Sequence, residues 1–143
     1  LKNDFGVDAD IWSVPSFNLL HRDAIEVERY NRLHPLEEAK LPFVTRQLQG
    51  YEGPVIASTD YIRSFADRIR AYIPNNYHVL GTDGFGRSDS RANLRDFFEV
   101  DSRHVAVAAL SALAEQGKVG KEVVQQAIEK YGIQTDTAPS WKR

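Results

Sequence analysis

The sequence predicts an α/β domain with a mainly parallel sheet and helices on both faces of that sheet. Three short apolar runs typical of strands end near Val14, Ala57 and Leu80, and segments with helical periodicity separate them. Strands that alternate with helices favour parallel pairing through right-handed crossovers. The chain has 143 residues, of which 42% are hydrophobic, and this suffices for the core of one globular domain.

Two strands and two helices are predicted in the first half of the chain. They are a strand over 10–14, a helix over 17–34, a short helix over 42–48 and a strand over 55–57. Ser16 is placed to cap the first helix, and Pro35 forces its predecessor out of helical geometry and so ends it. Gly50 closes the short helix, and Gly53 precedes the second strand.

The second half of the chain adds one strand and four helices. They are a helix through Tyr72 with capping candidates among 58–60, a strand over 77–80, a short helix over 91–98, a helix over 102–116 and a helix with an apolar stripe over 124–131. Gly117 and Gly132 are placed as C-terminal caps. The 105–114 stretch is apolar nearly all round, which predicts that it is covered on more than one side. Residues 134–143 lack periodicity and are expected to fray.

Composition excludes several classes of partner and chemistry. A formal net charge of −2, from 18 basic and 20 acidic residues, gives no reason to expect nucleic acid or an anionic membrane as partner. The absence of cysteine removes disulfides, thiolate chemistry and cysteine-based zinc sites, and is compatible with a reducing compartment. The chain begins at Leu1 and contains no methionine, so we expect it to be a fragment of a longer protein.

The most distinctive segment is 81–91, whose sequence is Gly-Thr-Asp-Gly-Phe-Gly-Arg-Ser-Asp-Ser-Arg. It joins a predicted strand to a predicted helix, which is where open α/β sheets build their sites. Its glycines follow a Gly-x-x-Gly-x-Gly order, which matches neither the dinucleotide fingerprint nor the P-loop, and no Lys-Ser or Lys-Thr pair follows. Nucleotide binding is therefore disfavoured, and a well-capped turn whose charges satisfy one another is the plain alternative.

Histidines give no sign of a metal or catalytic site. They stand at positions 21, 34, 78 and 104, and none forms an i, i+4 pair around a glutamate as a helical zinc site requires. His78 beside a strand end and His104 at a helix start are expected to be hydrogen-bonded structural residues.

Serine and carboxylate chemistry in the 81–91 segment is also disfavoured. Ser88 lies outside a Gly-x-Ser-x-Gly elbow and has no evident base. Asp83 and Asp89 could hold Mg²⁺ in principle, but the nearby Arg87 and Arg91 favour ion pairing instead. We therefore predict no catalytic, cofactor-binding or metal-binding residue in this chain.

Three segments together carry a family resemblance. They are the 81–91 string with Leu94 and Phe98 behind it, Ala57-Ser58-Thr59-Asp60-Tyr61, and Arg32-Leu33-His34-Pro35-Leu36-Glu37. In this combination the chain closely resembles the C-terminal domain of the homodimeric bacterial pyruvate dehydrogenase decarboxylating components, which belong to the transketolase-like, thiamine-diphosphate-dependent family. The resemblance extends from about Phe5 to about Ile133.

The resemblance implies a domain organisation. It implies a transketolase C-terminal-like domain over 1–133, followed by the frayed tail over 134–143. One further strand and helix are expected immediately before Leu1, with Leu1 to Gly6 as the end of that helix. The chain is thus expected to lack the first βα unit of its domain.

The resemblance also implies a function. The whole enzyme would oxidatively decarboxylate pyruvate and acetylate lipoyl groups, using thiamine diphosphate and Mg²⁺ bound by its other domains. This chain would be a non-catalytic assembly domain, inactive alone, in a cytoplasmic homodimer that works with a dihydrolipoyl acetyltransferase core. A different 2-oxo acid substrate stays open, because the domain does not contact the acid's side chain.

For the 81–91 segment we hypothesise a polar contact with a neighbouring domain or with the second subunit. The candidate interface residues are Asp83, Arg87, Ser88, Asp89 and Arg91, since a glycine-rich turn with several donors and acceptors suits a geometrically specific contact. Two alternatives stay open: an interaction or regulatory module that docks the acetyltransferase core, and a free-standing anion-binding α/β domain.

Overall fold

A small parallel sheet lies at the centre of the fold. The computed structural model describes residues 1–143, and its two strands are β1 (Val55–Ser58) and β2 (Tyr77–Leu80). They pair in parallel, with Val55 opposite Tyr77 and Ser58 opposite Leu80. The connection between them contains a helix and a 3₁₀ turn, as a parallel pair requires a crossover. The predicted α/β class and the parallel pairing are confirmed.

Seven α-helices surround this sheet or extend from it. They are α1 (Lys2–Phe5), α2 (Phe17–Leu33), α3 (Phe43–Leu48), α4 (Arg63–Asp67), α5 (Arg91–Phe97), α6 (Ser102–Glu115) and α7 (Lys121–Tyr131), with 3₁₀ turns at Arg70–Tyr72 and Ser140–Lys142. Helices α4 and α6 contact the strands, α2 packs on α3 and α4, and α7 packs on α6. None of the helices combines the length and the apolar character that crossing a bilayer requires.

Helix ends follow the local signals in the sequence. The Ser16 hydroxyl accepts a hydrogen bond from the Leu19 amide and caps α2, as predicted. Gly132 takes a left-handed conformation (φ 64°) and closes α7, and Gly117 does the same (φ 70°) just after α6. These helix ends can be predicted from nearby residues, because each depends on one side chain or one backbone angle.

The strand predicted over 10–14 is wrong. Residues 6–14 form no regular structure, and the Ile11 side chain is 97% exposed. Alternating polarity can place a strand only where a second backbone supplies hydrogen-bond partners, and none of the 143 residues pairs with this segment. The sheet therefore has two strands in place of the three predicted.

The helix predicted to run through Tyr72 is shorter than expected. It is divided into α4 and the 3₁₀ turn Arg70–Tyr72. Residues before α4 are engaged elsewhere, because the Thr59 hydroxyl accepts from the Tyr61 amide at 3.1 Å and the Tyr61 carbonyl accepts from the Thr82 amide at 2.9 Å. The start of this segment is thus attached to the loop after β2.

The main apolar core fills the space between α3, α4 and β2. Its buried members are Val44, Leu48, Ala66, Ile69, Ile73, Tyr77 and Val79. On α6, Leu110 is fully buried and lies on a helix that contacts α7 and both strands. The prediction that this apolar helix is covered on more than one side is confirmed.

Both ends of the chain pack against the domain. The Asp4 carboxylate of α1 accepts from the Lys130 ammonium at 2.5 Å and from the Tyr131 hydroxyl at 2.8 Å. At the other end, where we predicted a frayed segment over 134–143, Ser140 is only 8% exposed and begins a 3₁₀ turn. This turn differs from the expectation because it packs on residues far away in sequence, which periodicity cannot reveal.

Candidate interface site at the loop 81–91

The loop formed by residues 81–91 begins where β2 ends and leads into α5. The Thr82 amide donates to the Tyr61 carbonyl, so the loop lies beside the segment that follows β1. At Gly81 a Cβ atom would lie 2.8 Å from the Tyr61 carbonyl oxygen, which is too close for any side chain. The carboxyl ends of both parallel strands thus meet at one edge, where α/β folds place their sites.

Asp83 is directed into the chain. One of its carboxylate oxygens accepts from the Arg63 amide at 3.0 Å, and the other accepts from the Arg63 Nε at 2.5 Å. The side chain is 21% exposed. Asp83 therefore fixes the start of the loop to α4 and offers little to an outside partner.

Asp89 is also engaged locally. Its carboxylate accepts from the Ser90 amide at 2.6 Å and from the Asn93 side-chain amide at 2.8 Å. The hydrogen bonds from Ser90 and Asn93 lower the pKa of this carboxyl below its ordinary value. Asp89 thus stabilises the entry into α5, whose N-cap is the neighbouring Ser90.

Arg87 makes contacts inside the chain but stays exposed. Its guanidinium donates to the main-chain oxygen of Arg143 at 2.5 Å and lies 4.6 Å from the centre of the Phe97 ring. Such cation–π contacts at exposed sites are worth about 0.5–1 kcal/mol. Arg87 therefore has a defined position on the surface of the loop.

Ser88 and Arg91 are the predicted residues that the structure leaves available. Both are exposed, and neither side chain forms a hydrogen bond or an ion pair within the chain. The Phe85 side chain, between them and β2, is 86% exposed. The exposed part of the loop therefore combines an aromatic ring, a hydroxyl and two guanidinium groups, counting Arg87.

An open cleft of about 470 Å³ lies between this loop and α5. Its charged lining residues are Asp60, Arg87, Asp89, Arg91 and Arg95. Asp60 and Arg95 form a loose ion pair at 3.4 Å. Because the Asp89 carboxylate is already hydrogen-bonded at the start of α5, the charged groups that the cleft offers to a partner are mainly arginines.

Sequence reasoning missed three residues that hold the loop. Arg63 binds Asp83, and Trp141 and Arg143 come from the segment expected to fray. The signal that could have indicated a role was a tryptophan in an otherwise polar terminal segment. No spacing rule links it to a loop 57 residues earlier.

Comparison with known proteins decides the family. Residues 1–101 match the family model described as the transketolase-like TK C-terminal domain. The chain belongs to this family. It is also 59% identical over 134 residues to the pyruvate dehydrogenase E1 component of Pseudomonas aeruginosa, a match that covers 93% of the chain. The corresponding proteins of Haemophilus influenzae and Escherichia coli K12 are 55% and 50% identical, each over 137 residues or 95% of the chain.

The chain spans about 15% of the length of these curated relatives. The resemblance stated from the motifs is confirmed, and so is the transketolase C-terminal-like fold class. The relatives are named as an enzyme component, and the chain is similar to a part of it. None of these matches tests the roles assigned to individual residues of the loop.

A transketolase-like domain raises the question of whether these residues could hold Mg²⁺ and a diphosphate. The one cluster with suitable ligand types is Asp96, Asp101 and His104, whose ligand atoms lie within 4.8 Å of one another. However, Arg103 donates to Asp96 at 2.5 Å and to Asp101 at 2.6 Å, and Asp101 also accepts from the His104 ring at 2.8 Å.

The electrostatics of this cluster fit an ion-paired helix cap. Partial burial of Asp101 opposes its ionisation, but the hydrogen bonds from His104 and Arg103 together outweigh burial and lower its pKa to about 2. A guanidinium within the cluster supplies the positive charge that a metal ion would supply. These residues therefore do not fit the metal and diphosphate of the cofactor.

Proposed function

We propose that the chain is an assembly domain of an enzyme that oxidatively decarboxylates pyruvate and acetylates lipoyl groups. The similarity to pyruvate dehydrogenase E1 components over most of the chain supports this function. Thiamine diphosphate and Mg²⁺ would be bound by the parts of the enzyme outside these 143 residues. The enzyme would act as a cytoplasmic homodimer, together with a dihydrolipoyl acetyltransferase core.

The observation that carries the assembly role is the large accessible surface of the chain. It measures 9697 Å², whereas a compact monomer of 16.2 kDa is expected to expose about 7,500 Å². The excess of roughly 2,000 Å² is larger than one partner's share of a standard interface, about 800 Å². A surface of this size favours packing against further protein.

Exposed apolar side chains support the same conclusion. Ile11, Leu36 and Phe85 are each more than four-fifths exposed, and Trp12 is half exposed. Aromatic residues of this kind are enriched where proteins meet. The proposal therefore assigns these positions to contacts with the rest of the enzyme.

The loop 81–91 is our candidate for a specific polar contact. Its two aspartates are used to shape it, so the residues that meet a neighbouring domain or the second subunit are Arg87, Ser88 and Arg91, with Phe85 beside them. Arginine and aromatic side chains frequently carry the largest share of interface energy. A loop fixed by Asp83 and Asp89 presents them with little loss of entropy on binding.

The test uses alanine at Arg87 and Arg91 in the full-length enzyme. We expect Arg91→Ala to weaken the dimer by about thirtyfold, which corresponds to the loss of about 2 kcal/mol typical of an interface hot spot, or to lower turnover. Arg22→Ala is the matched control, since Arg22 is an exposed arginine of α2 with no partner in the chain. Dimer affinity is measured by analytical ultracentrifugation and turnover by decarboxylation of pyruvate.

Two outcomes would contradict the loop's role in different ways. Unchanged dimer affinity and unchanged turnover in both variants would contradict any contact made by the loop. If free-enzyme decarboxylation stays normal while acetyl transfer within the assembled complex falls, the loop instead serves the docking of the acetyltransferase core.

A further inference from the structure

The chain's last residues lie directly on the start of the 81–91 loop. The Ser140 hydroxyl donates to the Asp83 carbonyl at 2.7 Å. Gly84 has a φ of +117°, and a Cβ atom there would lie 3.1 Å from the Cα of Trp141. Glycine at this position therefore permits both the backbone conformation of the loop and the close approach of the terminal segment.

Arginine side chains connect the terminal segment to the loop at two more points. Arg63, which holds the Asp83 carboxylate, also lies 5.3 Å from the centre of the Trp141 ring. Arg87 of the loop donates to the main-chain oxygen of Arg143. The terminal segment thus contacts residues from both halves of the loop.

A third set of contacts surrounds Phe97 at the end of α5. The Arg87 and Arg143 guanidinium groups lie 4.6 and 4.7 Å from the centre of the Phe97 ring. Arg143 also donates to the Phe97 carbonyl at 2.9 Å and pairs with Glu99 at 3.3 Å. The terminal segment therefore extends from the start of the loop to the end of the helix that follows it.

The loop makes few backbone contacts of its own. Among the backbone groups of residues 83–89, only the Asp83 carbonyl forms a hydrogen bond within the chain, and its donor is the Ser140 hydroxyl. A segment without internal backbone hydrogen bonds opens easily unless other contacts hold it. Here the terminal segment supplies the hydrogen bond to the Asp83 carbonyl, accepts one from Arg87, and packs closely on Gly84.

We propose that residues 139–143 form a strap that binds the loop 81–91 within the same chain and sets its conformation. Ser140, Trp141 and Arg143 are positioning residues for the loop. The strap's effect on the loop stands independently of the proposed assembly function. Its consequence for assembly, that a loosened loop presents Arg91 less well, rests on that function.

The test measures tryptic cleavage after Arg87 and Arg91 in the full-length enzyme. We expect the variant that lacks residues 139–143 to be cut there about tenfold faster, because proteolysis follows the population of the open loop. Trp141→Ala and Arg143→Ala should show smaller increases. Cleavage after Arg22, inside α2, serves as an internal reference for global unfolding.

Matched controls come from neighbouring positions. Lys142→Ala changes an exposed strap residue whose side chain forms no hydrogen bond or ion pair in the chain, and it should leave cleavage in the loop unchanged. On the loop side, Gly84→Ala should loosen the strap, because it strains a backbone with φ of +117° and places a Cβ 3.1 Å from the Cα of Trp141. Gly86→Ala should not, because Gly86 has no positive φ and a Cβ there would meet no atom within 4 Å.

The outcomes separate the strap from the assembly function. Loop cleavage that is equally slow with and without residues 139–143 would overturn the strap, whatever the dimer affinity. Faster loop cleavage with unchanged dimer affinity and turnover would support the strap and contradict the assembly role of the loop. Faster cleavage together with a weakened dimer would support both.

Discussion

Replacing Asp101 with asparagine should measurably destabilise α6. The Asp101 carboxylate caps this helix by accepting from the Arg103 and His104 amides, both at 3.0 Å, and it also accepts from both of their side chains. The side chain is only 17% exposed, so solvent screens these interactions little. Asparagine keeps an acceptor oxygen but loses the charge on which the strongest of these bonds depend.

The magnitude follows from the pKa of Asp101. Its value falls from 3.8 to about 2 on folding, which at about 1.4 kcal/mol per unit corresponds to about 2 kcal/mol of stabilisation. Because folding lowers this pKa, the stabilisation is complete above the unfolded value and is lost as the pH falls through about 2. The loss caused by Asp101→Asn should therefore be about 2 kcal/mol at neutral pH and about half of that near pH 3.

Urea unfolding followed by far-UV circular dichroism gives the free energy of unfolding at each pH. Asp136→Asn is the matched control, because Asp136 is exposed and accepts no hydrogen bond in the chain. A loss below about 0.5 kcal/mol at neutral pH, or a loss that does not shrink on acidification, would refute the reasoning.

Two further substitutions test the packing around the loop and the core. Gly81→Ala places a Cβ 2.8 Å from the Tyr61 carbonyl oxygen and should lower the free energy of unfolding in urea by about 1–3 kcal/mol. Gly86→Ala should lower it far less, and equal losses in the two variants would contradict the close approach at Gly81. Tyr77→Phe removes the buried hydrogen bond from the Tyr77 hydroxyl to the Ala66 carbonyl at 2.9 Å and should cost about 1–2 kcal/mol in urea unfolding. An unchanged stability would contradict this contribution.

The features that the sequence predicts well are those set by local signals. Ser16 and Gly132 mark the ends of two helices because a cap needs only a nearby hydroxyl or a left-handed residue. The apolar pattern of α6 correctly indicates a helix covered on several sides. The parallel pairing of β1 and β2 follows from the helix and turn that separate them.

The features that the sequence predicts poorly depend on a second, distant segment. The strand expected over 10–14 needs a neighbouring backbone that these residues lack. The inward orientation of Asp83 depends on Arg63, 20 residues earlier, and the contacts of the terminal segment depend on a loop 57 residues away. Spacing along a single sequence therefore identifies the loop as distinctive but does not separate the residues that shape it from those that face a partner.

The exposed side of the loop 81–91 is proposed to contact another part of the enzyme. Ser88 is exposed and its side chain forms no hydrogen bond in the chain, so it is a suitable position for a photo-cross-linker such as benzoylphenylalanine in the full-length enzyme. We expect mass spectrometry to find cross-links from position 88 to residues outside these 143, or to the second subunit, and none from the control position Arg22. Cross-links confined to the 143 residues of the same subunit, or a yield no higher than at Arg22, would contradict this contact.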